Sequence, residues 1–406
     1  MTPQRAVASL MVVLALAPAC ATPRGAPGAI ADAPVGQRPA LDTDEAGLWM
    51  EVDRLERRIQ TSGQLVRDPE LNAYLRGILC RVAGPHCEGI RIYVVRNPLF
   101  NASMAPNGMM QIFTGALLRM ENEAQLAYLL GHEVGHFIRR HSIEAWRDIR
   151  AKAAFLAGFQ LFVGAAATAA GFGGVVGAGQ VGSLANTVAG FATLGSMYAF
   201  SRDNEREADD VGLEAVIKAG YEPREAPKIW ARLLQERDAA PASTPVVFFA
   251  THPPVAERQA TLEDRARTAA AGGAARQVGQ DELLARTLRY RATWLADELR
   301  RRQFASSQIL LDSLLAGGVR VGEVNFFQGE LHRLRGEQDD PPRAIIAYRK
   351  ALAHPETPPE IHRNLGLVLL RTGERAQARS AFQQYLEVQP NASDAELIRA
   401  QLRELE

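Results

Sequence analysis

"LLGHEVGHFIRRHS", residues 129–142, decides how the rest of the chain is read. The stretch sits in an apolar run with helical spacing, yet it carries two histidines and a glutamate. His132 and His136 are four positions apart, so on a helix both rings leave the same face, with Cβ atoms about 6 Å apart. Zinc takes imidazole nitrogen at about 2.0 Å, so two such rings can share one ion. Glu133, next to the first ring, can reach a water in an open metal position and move its proton. This is the H-E-x-x-H pattern, with one Zn2+ per chain expected on it. Gly131 and Gly135 are read as keeping one side of the helix open. The helix is expected from about Glu121 to beyond His141. On a continuous helix His141 faces away from His136 and reads as a surface residue.

Two imidazoles leave a metal under-coordinated, so a third ligand is needed. "SRDNEREADD", residues 201–210, offers Glu205 and Asp209, four apart on one helical face. Glu205 could bind the ion, and Asp209 could hold the outer nitrogen of a ligand histidine and fix its tautomer. Taken alone, such a charged run reads as a solvated helix face.

Around these motifs the chain alternates helical and extended signals. "GLWMEVDRLERRIQ" and "PELNAYLRGILCRV" have apolar residues at three-and-four spacing. "GIRIYVVRNP" reads as a strand, and a turn at Pro106-Asn107-Gly108 leads into a second strand, Met109 to Thr114. The break "TAAAGGAARQVGQ" separates this part from a helical C-terminal part. There, "NLGLVLLRTGERAQARSAFQQYLEVQP" carries Leu365-Gly366, Gly373, Ala378, Phe382 and Pro390 at tetratricopeptide spacing. An upstream unit carries Gly329, Gly336, Ala344, Tyr348, Ala351 and Pro355, with extra residues around Asp339-Asp340. "ATWLADELRRRQFASSQILLDSLLAGG" reads as a degenerate first unit. Stacks of this kind expose a concave surface for peptides or partner proteins.

Lys+Arg and Asp+Glu are both 46, so the formal net charge is zero and no basic excess points to nucleic acid. The first twenty residues read as a secretory signal: Arg5, an apolar run, then "APAC". Two readings stay open, cleavage after Ala19 or lipidation of Cys20 as in a bacterial lipoprotein. A Pro/Gly/Ala tether follows. Export makes a Cys80–Cys87 disulfide reasonable, with two separate buried thiols as the alternative. Residues 153–200 carry no charge and are rich in Ala and Gly. They read as small-residue helices near the site, with membrane contact left open and spans or a membrane-touching flap as the other readings.

"NASMAPNGMMQIFTGAL", "LLGHEVGHFIRRHS", "SRDNEREADDVG" and "THPPVAER" occur in this order. Together they resemble the HtpX-like and CAAX prenyl protease-like zinc metallopeptidases, in their periplasmic branch with C-terminal tetratricopeptide repeats. The resemblance implies an α+β, mostly helical protein: a gluzincin-type metallopeptidase domain with a small sheet, then an all-α repeat domain. The divisions expected are residues 1–20 (signal), 21–46 (linker), 47–268 (peptidase) and 281–406 (repeats). It implies His132, His136 and Glu205 as zinc ligands, Glu133 as catalytic acid/base and Asp209 as support for His132. His252 matches a histidine that either occupies the open zinc position or stabilises the oxyanion. Arg258 matches an arginine near the substrate, and Met109–Thr114 the edge strand that receives an extended substrate. It further implies a periplasmic endopeptidase, held at the outer membrane by lipidated Cys20. Its substrates would be unfolded or misfolded envelope proteins, and its repeats would meet outer-membrane assembly machinery. A non-proteolytic assembly chaperone or scaffold working through the repeats is the alternative.

Overall fold

The computed structural model describes residues 31–150, 200–240, 248, 252, 256–271 and 276–405. The signal region with Cys20, and residues 153–199 of the uncharged stretch, lie outside the described residues.

Two helices open the chain, α1 (Asp44–Thr61) and α2 (Pro69–Ala83). Each starts where its sequence directs: the Thr43 hydroxyl accepts the Ala46 N–H, and the Asp68 carboxylate accepts from Glu70 and Leu71 ahead of Pro69. A 3₁₀ turn, Gly84–Gly89, follows, and a disulfide joins Cys80 to Cys87 across it, with Cα atoms 4.8 Å apart. Then come β1 (Arg91–Val95), β2 (Ala102–Met104) and β3 (Met109–Phe113). At the β2–β3 turn Gly108 has φ +88°, and a Cβ there would lie 2.1 Å from the Gly89 carbonyl oxygen, so only glycine fits.

The sheet order is β1-β3-β2, with β1 parallel and β2 antiparallel to β3. This corrects the edge-strand expectation. β3 is the central strand, buried along its whole length, and both of its edges are paired. The three-residue β2 is an outer strand beside the helix that carries the H-E-x-x-H pattern.

Helix α3 (Thr114–Arg119) leads into α4 (Glu123–Ile138), capped by Asn122, whose side chain accepts the Gln125 N–H at 2.9 Å. α4 ends at Ile138, not beyond His141. Arg140 adopts φ +59°, which breaks the helix and redirects the chain into a further helical stretch at 141–150. This turn is held from outside by the segment before α1 and by the first turn of α1: Ala33 N–H donates to the Ile138 carbonyl at 2.7 Å, and Arg140 pairs with Glu45.

α5 (Arg202–Lys218), capped by Ser201, lies against α4. The contact is a seam of small residues. A Cβ on Gly212 would sit 2.8 Å from the His132 nitrogen, and one on Gly135 would sit 3.0 Å from the Ala208 Cα. Gly131 and Gly135 therefore do not keep a side of α4 open. They let a second backbone close on it, as small residues do wherever helices must approach tightly.

α6 (Ala226–Ala239) and α7 (Ala256–Ala270) complete the part that contains the sheet. The stretch read as a domain break is tied in at its end. Gly279 and Val278 carbonyls accept the Glu123 and Ala124 N–H groups, and Gln277 bridges to Tyr221. The C-terminal part is helical throughout: α8 (Gln280–Arg300), α9 (Phe304–Ala316), α10 (Val321–Arg335), α11 (Asp340–Leu352), α12 (Glu360–Arg371), α13 (Arg375–Val388) and α14 (Ala395–Glu404). α10 pairs with α11 and α12 with α13, while α8 packs on α3 and α9 on α6. One apolar core accordingly runs from Leu71 to Ile398 without interruption. A buried charged knot crosses the same boundary. Arg119 of α3 contacts Glu236 of α6 at 2.8 Å and Glu298 of α8 at 3.1 Å. Among the described residues no helix is long and apolar enough to cross a membrane.

Candidate metal centre

α4 and α5 meet where His132, His136 and Glu205 face one another, and His252 enters the same space from the chain between α6 and α7. All four side chains are buried to 3% exposure or less. His132 Nε2 and His136 Nε2 are 3.1 Å apart. His252 Nδ1 is 3.4 Å from His132 Nε2 and 2.8 Å from Glu205 Oε1. Glu205 Oε1 is 3.5 Å from His136 Nε2, and Glu205 Oε2 is 3.7 Å from His132 Nε2.

These spacings test whether a zinc ion suits the residues. Ligand atoms at about 2.0–2.1 Å from a tetrahedral zinc stand roughly 3.3 Å from each other. The observed separations bracket that value. The two imidazole nitrogens face each other at 3.1 Å, and the Glu205 carboxylate lies against both, so two nitrogen donors and an oxygen donor converge on one point. Glu133 lies beside this cluster with Oε1 buried and lacking a hydrogen-bond partner, 3.7 Å from His252 Nε2. The donor set and the geometry fit zinc.

Electrostatics divide the carboxylates by role. Burial raises Glu133 above the ordinary carboxylate range, partly offset by the nearby His252 and His132 and by the Met104 N–H of β2. Burial would also raise Glu205, but His252, His132 and Arg258 outweigh it and hold the carboxyl below its usual value. Asp209 is likewise buried, yet His132 and Arg258 bring it down to about 2. Burial drives His136 well below an ordinary imidazole, aided by the surrounding positive groups. His252 goes the other way: Glu205 and Glu133 outweigh its burial.

The supports behind the ligands come from α4, α5, α6 and α7. Asp209 Oδ1 lies 3.0 Å from His132 Nδ1 and accepts the Tyr128 hydroxyl at 2.7 Å. Trp230 Nε1 donates to the Tyr128 oxygen at 3.2 Å. Arg258, expected near the substrate, lies behind the ligands instead. It is 7% exposed, pairs with both oxygens of Asp209 and contacts Glu205 Oε2 at 2.6 Å. The reason is spacing: α7 places Arg258 against α5, where two carboxylates need a counter-charge. His252 is held by ring stacking, with Phe248 parallel to it at 4.3 Å and Trp230 stacked on Phe248 at 5.4 Å.

His141 requires the largest correction. It is 2% exposed, not on the surface, and its Nδ1 lies 3.0 Å from His136 Nδ1. The five-residue spacing argument assumed one helix, and Arg140 breaks it. Tyr128, Trp230, Phe200 and Glu207 were not singled out from sequence either. Tyr128 had a signal, since it precedes His132 by one helical turn; the others carry none that sequence alone distinguishes.

Residues 65–266 match peptidase family M48. The chain is 28% identical to the beta-barrel assembly-enhancing protease of Escherichia coli (strain K12) over 221 residues, covering 53% of this chain and 42% of that protein. It is 35% identical over 153 residues to a mitochondrial metalloendopeptidase of Arabidopsis thaliana, covering 37% of this chain and 27% of that protein. A mitochondrial metalloendopeptidase of Schizosaccharomyces pombe matches at 31% over 175 residues, 43% of this chain and 45% of that protein. The chain thus spans less than half the length of these relatives.

Proposed function

From a chain whose residues 65–266 belong to peptidase family M48, a zinc metallopeptidase domain, we propose a metalloendopeptidase of the bacterial cell envelope that cuts extended or misfolded polypeptides. The observation that carries the proposal is the convergence of His132, His136 and Glu205, with the unpartnered Glu133 Oε1 beside them.

His132, His136 and Glu205 would hold the ion, which when bound supplies a Lewis acid for the scissile carbonyl and a more acidic water. Glu133 takes a proton from the attacking water and returns it to the leaving nitrogen. Burial holds this carboxyl above the ordinary carboxylate range, which strengthens it as a proton acceptor. The substrate lies as an added strand along β2, because β2 is a sheet edge and its Met104 N–H already reaches Glu133. An extended backbone there brings its carbonyls past the catalytic carboxylate, which suits unfolded rather than folded substrates.

The C-terminal hairpins are read as tetratricopeptide units that recruit substrate or a partner. Supporting this, Gly329 lies under Tyr348 and Gly366 under Phe382, so tightly that a Cβ would come within 2.3 Å and 2.6 Å of the rings. A small residue beneath an aromatic of the paired helix is what those repeat positions require. Export and lipidation at Cys20 would place the enzyme at the outer membrane, where the Escherichia coli relative's name points to barrel assembly.

One observation favours the scaffold alternative. With His252 in the cluster, four protein donors face one point, and fully protein-ligated zinc sites are commonly structural. Glu133→Gln separates the two. Cleavage of an unfolded protein such as casein should fall by at least a hundredfold while zinc content stays at one per chain. A cellular phenotype that survives this change would instead support the scaffold.

A further inference from the structure

The outer faces of the two ligand histidines are supported differently. His132 turns its Nδ1 to a carboxylate, Asp209, 3.0 Å away. His136 turns its Nδ1 to another imidazole, the Nδ1 of His141, at the same 3.0 Å. His141 in turn places Nε2 3.2 Å from Glu207 Oε2. Nothing in the proton-moving step uses His141 or Glu207, yet His141 is buried to 2% and its position depends on a strained backbone. Arg140, directly before it, sits at φ +59°, a left-handed conformation that is unfavourable for a residue with a side chain. Glu45 and the Ala31 carbonyl hold Arg140 there. Phe200 lies flat on the His136 ring at 4.0 Å, so the ring's tilt is fixed from the face while its Nδ1 is addressed from the edge.

Resting on the metal-site reading above, we propose that His141 is a positioning residue for His136, and that Glu207 anchors it. The hydrogen positions follow from the direction of each pair. For Nε2 of His136 to offer a lone pair to the ion, its Nδ1 must carry the hydrogen. That N–H donates to the Nδ1 lone pair of His141. His141 then bears its own hydrogen on Nε2 and donates it to the Glu207 carboxylate. The chain runs His136, His141, Glu207 and ends at a carboxylate whose side chain is 48% exposed. The two ligand rings are therefore unequal: His132 backs directly onto a buried carboxylate, His136 onto a neutral relay. Second-sphere partners of this type contribute about 10–100-fold in metal affinity.

The test is zinc affinity of the full chain, measured by competition with a chromogenic chelator, for wild type, His141→Asn, His141→Leu and Glu207→Ala. Asn keeps an acceptor near the Nδ1 position, whereas Leu fills the space without one. Wild type should bind one zinc, Asn should stay within about threefold of it, and Leu should lose about 10–100-fold. Glu207→Ala should fall between them. Equal affinity for Leu and Asn would overturn the proposal, because shape alone would then account for His141. If circular dichroism shows that His141→Leu does not fold, Glu207→Ala decides. It alters a half-exposed side chain, and an affinity equal to wild type would refute the relay. If wild type itself binds no zinc, the metal-site reading fails and takes the inference with it. Wild-type binding with indifferent variants fails the inference alone.

Discussion

Asp209→Asn tests the site's electrostatics without removing a metal ligand. The carboxylate at 209 answers three groups at once: His132 Nδ1 at 3.0 Å, the Tyr128 hydroxyl at 2.7 Å, and the Arg258 guanidinium. Its fall from an ordinary 3.8 to about 2, at roughly 1.4 kcal/mol per pH unit, represents about 2 kcal/mol of stability in the metal-free protein. The sign follows from the direction of the shift. A folded-state pKa below the unfolded one stabilises the fold above about pH 4, and the contribution is lost as pH falls through about 2. Asparagine also takes from Arg258, 7% exposed, one of the two carboxylates it contacts here, the other being Glu205. Removing one partner of a buried pair typically costs about 3–5 kcal/mol in total. Urea unfolding of the metal-free proteins should therefore show wild type ahead by about 3–5 kcal/mol at pH 7. The lead should narrow below pH 4, with the pH-linked share roughly halved by pH 3. Zinc affinity should drop about 10–100-fold in the same variant. A gap under 1 kcal/mol at pH 7, or one that stays constant down to pH 3, would refute the account of Asp209 as a buried, charge-matched support.

Gly212→Ala should cost about 1–3 kcal/mol, because its Cβ meets the His132 backbone, which cannot yield as a side chain could. Thermal melting checks this, and zinc affinity should fall with it as α5 carries Glu205 away from the histidines. Arg119→Met strands Glu236 and weakens the hold on Glu298, and urea unfolding should show a loss of about 3–5 kcal/mol. His252→Ala removes the fourth donor and should raise casein cleavage severalfold if that ring keeps water from the ion. Unchanged or reduced cleavage would assign His252 to transition-state support instead.

His132 and His136 were legible as a pair of candidate ligands because helical periodicity is local: four residues make about one turn, and apolar neighbours bury the pair. Glu205 and Asp209 were legible as a pair on one face. Their approach to the histidines came from the family resemblance and not from residue spacing, because it depends on where α5 docks. The docking signal was in the sequence as Gly131, Gly135 and Gly212, but glycine reads equally well as openness or close contact until a partner is known. His141 was misread because a single residue, Arg140, takes a conformation that arginine rarely adopts, and the segment that holds it there lies about a hundred residues upstream. The central strand β3 was identified, but which of its neighbours forms the edge is a question of pairing order, which alternation does not encode. Arg258 could be numbered but not oriented, since its partners come from another helix.

The knot of Arg119, Glu236 and Glu298 has a practical corollary for anyone dissecting this protein. A clone stopped ahead of Gln280 would bare the greasy flank of α3 and leave a guanidinium short of a counterion in its interior. The helical tail is a bracket bolted to the body that carries the metal-site residues, not an arm on a hinge, because core and ion pairs cross the boundary together.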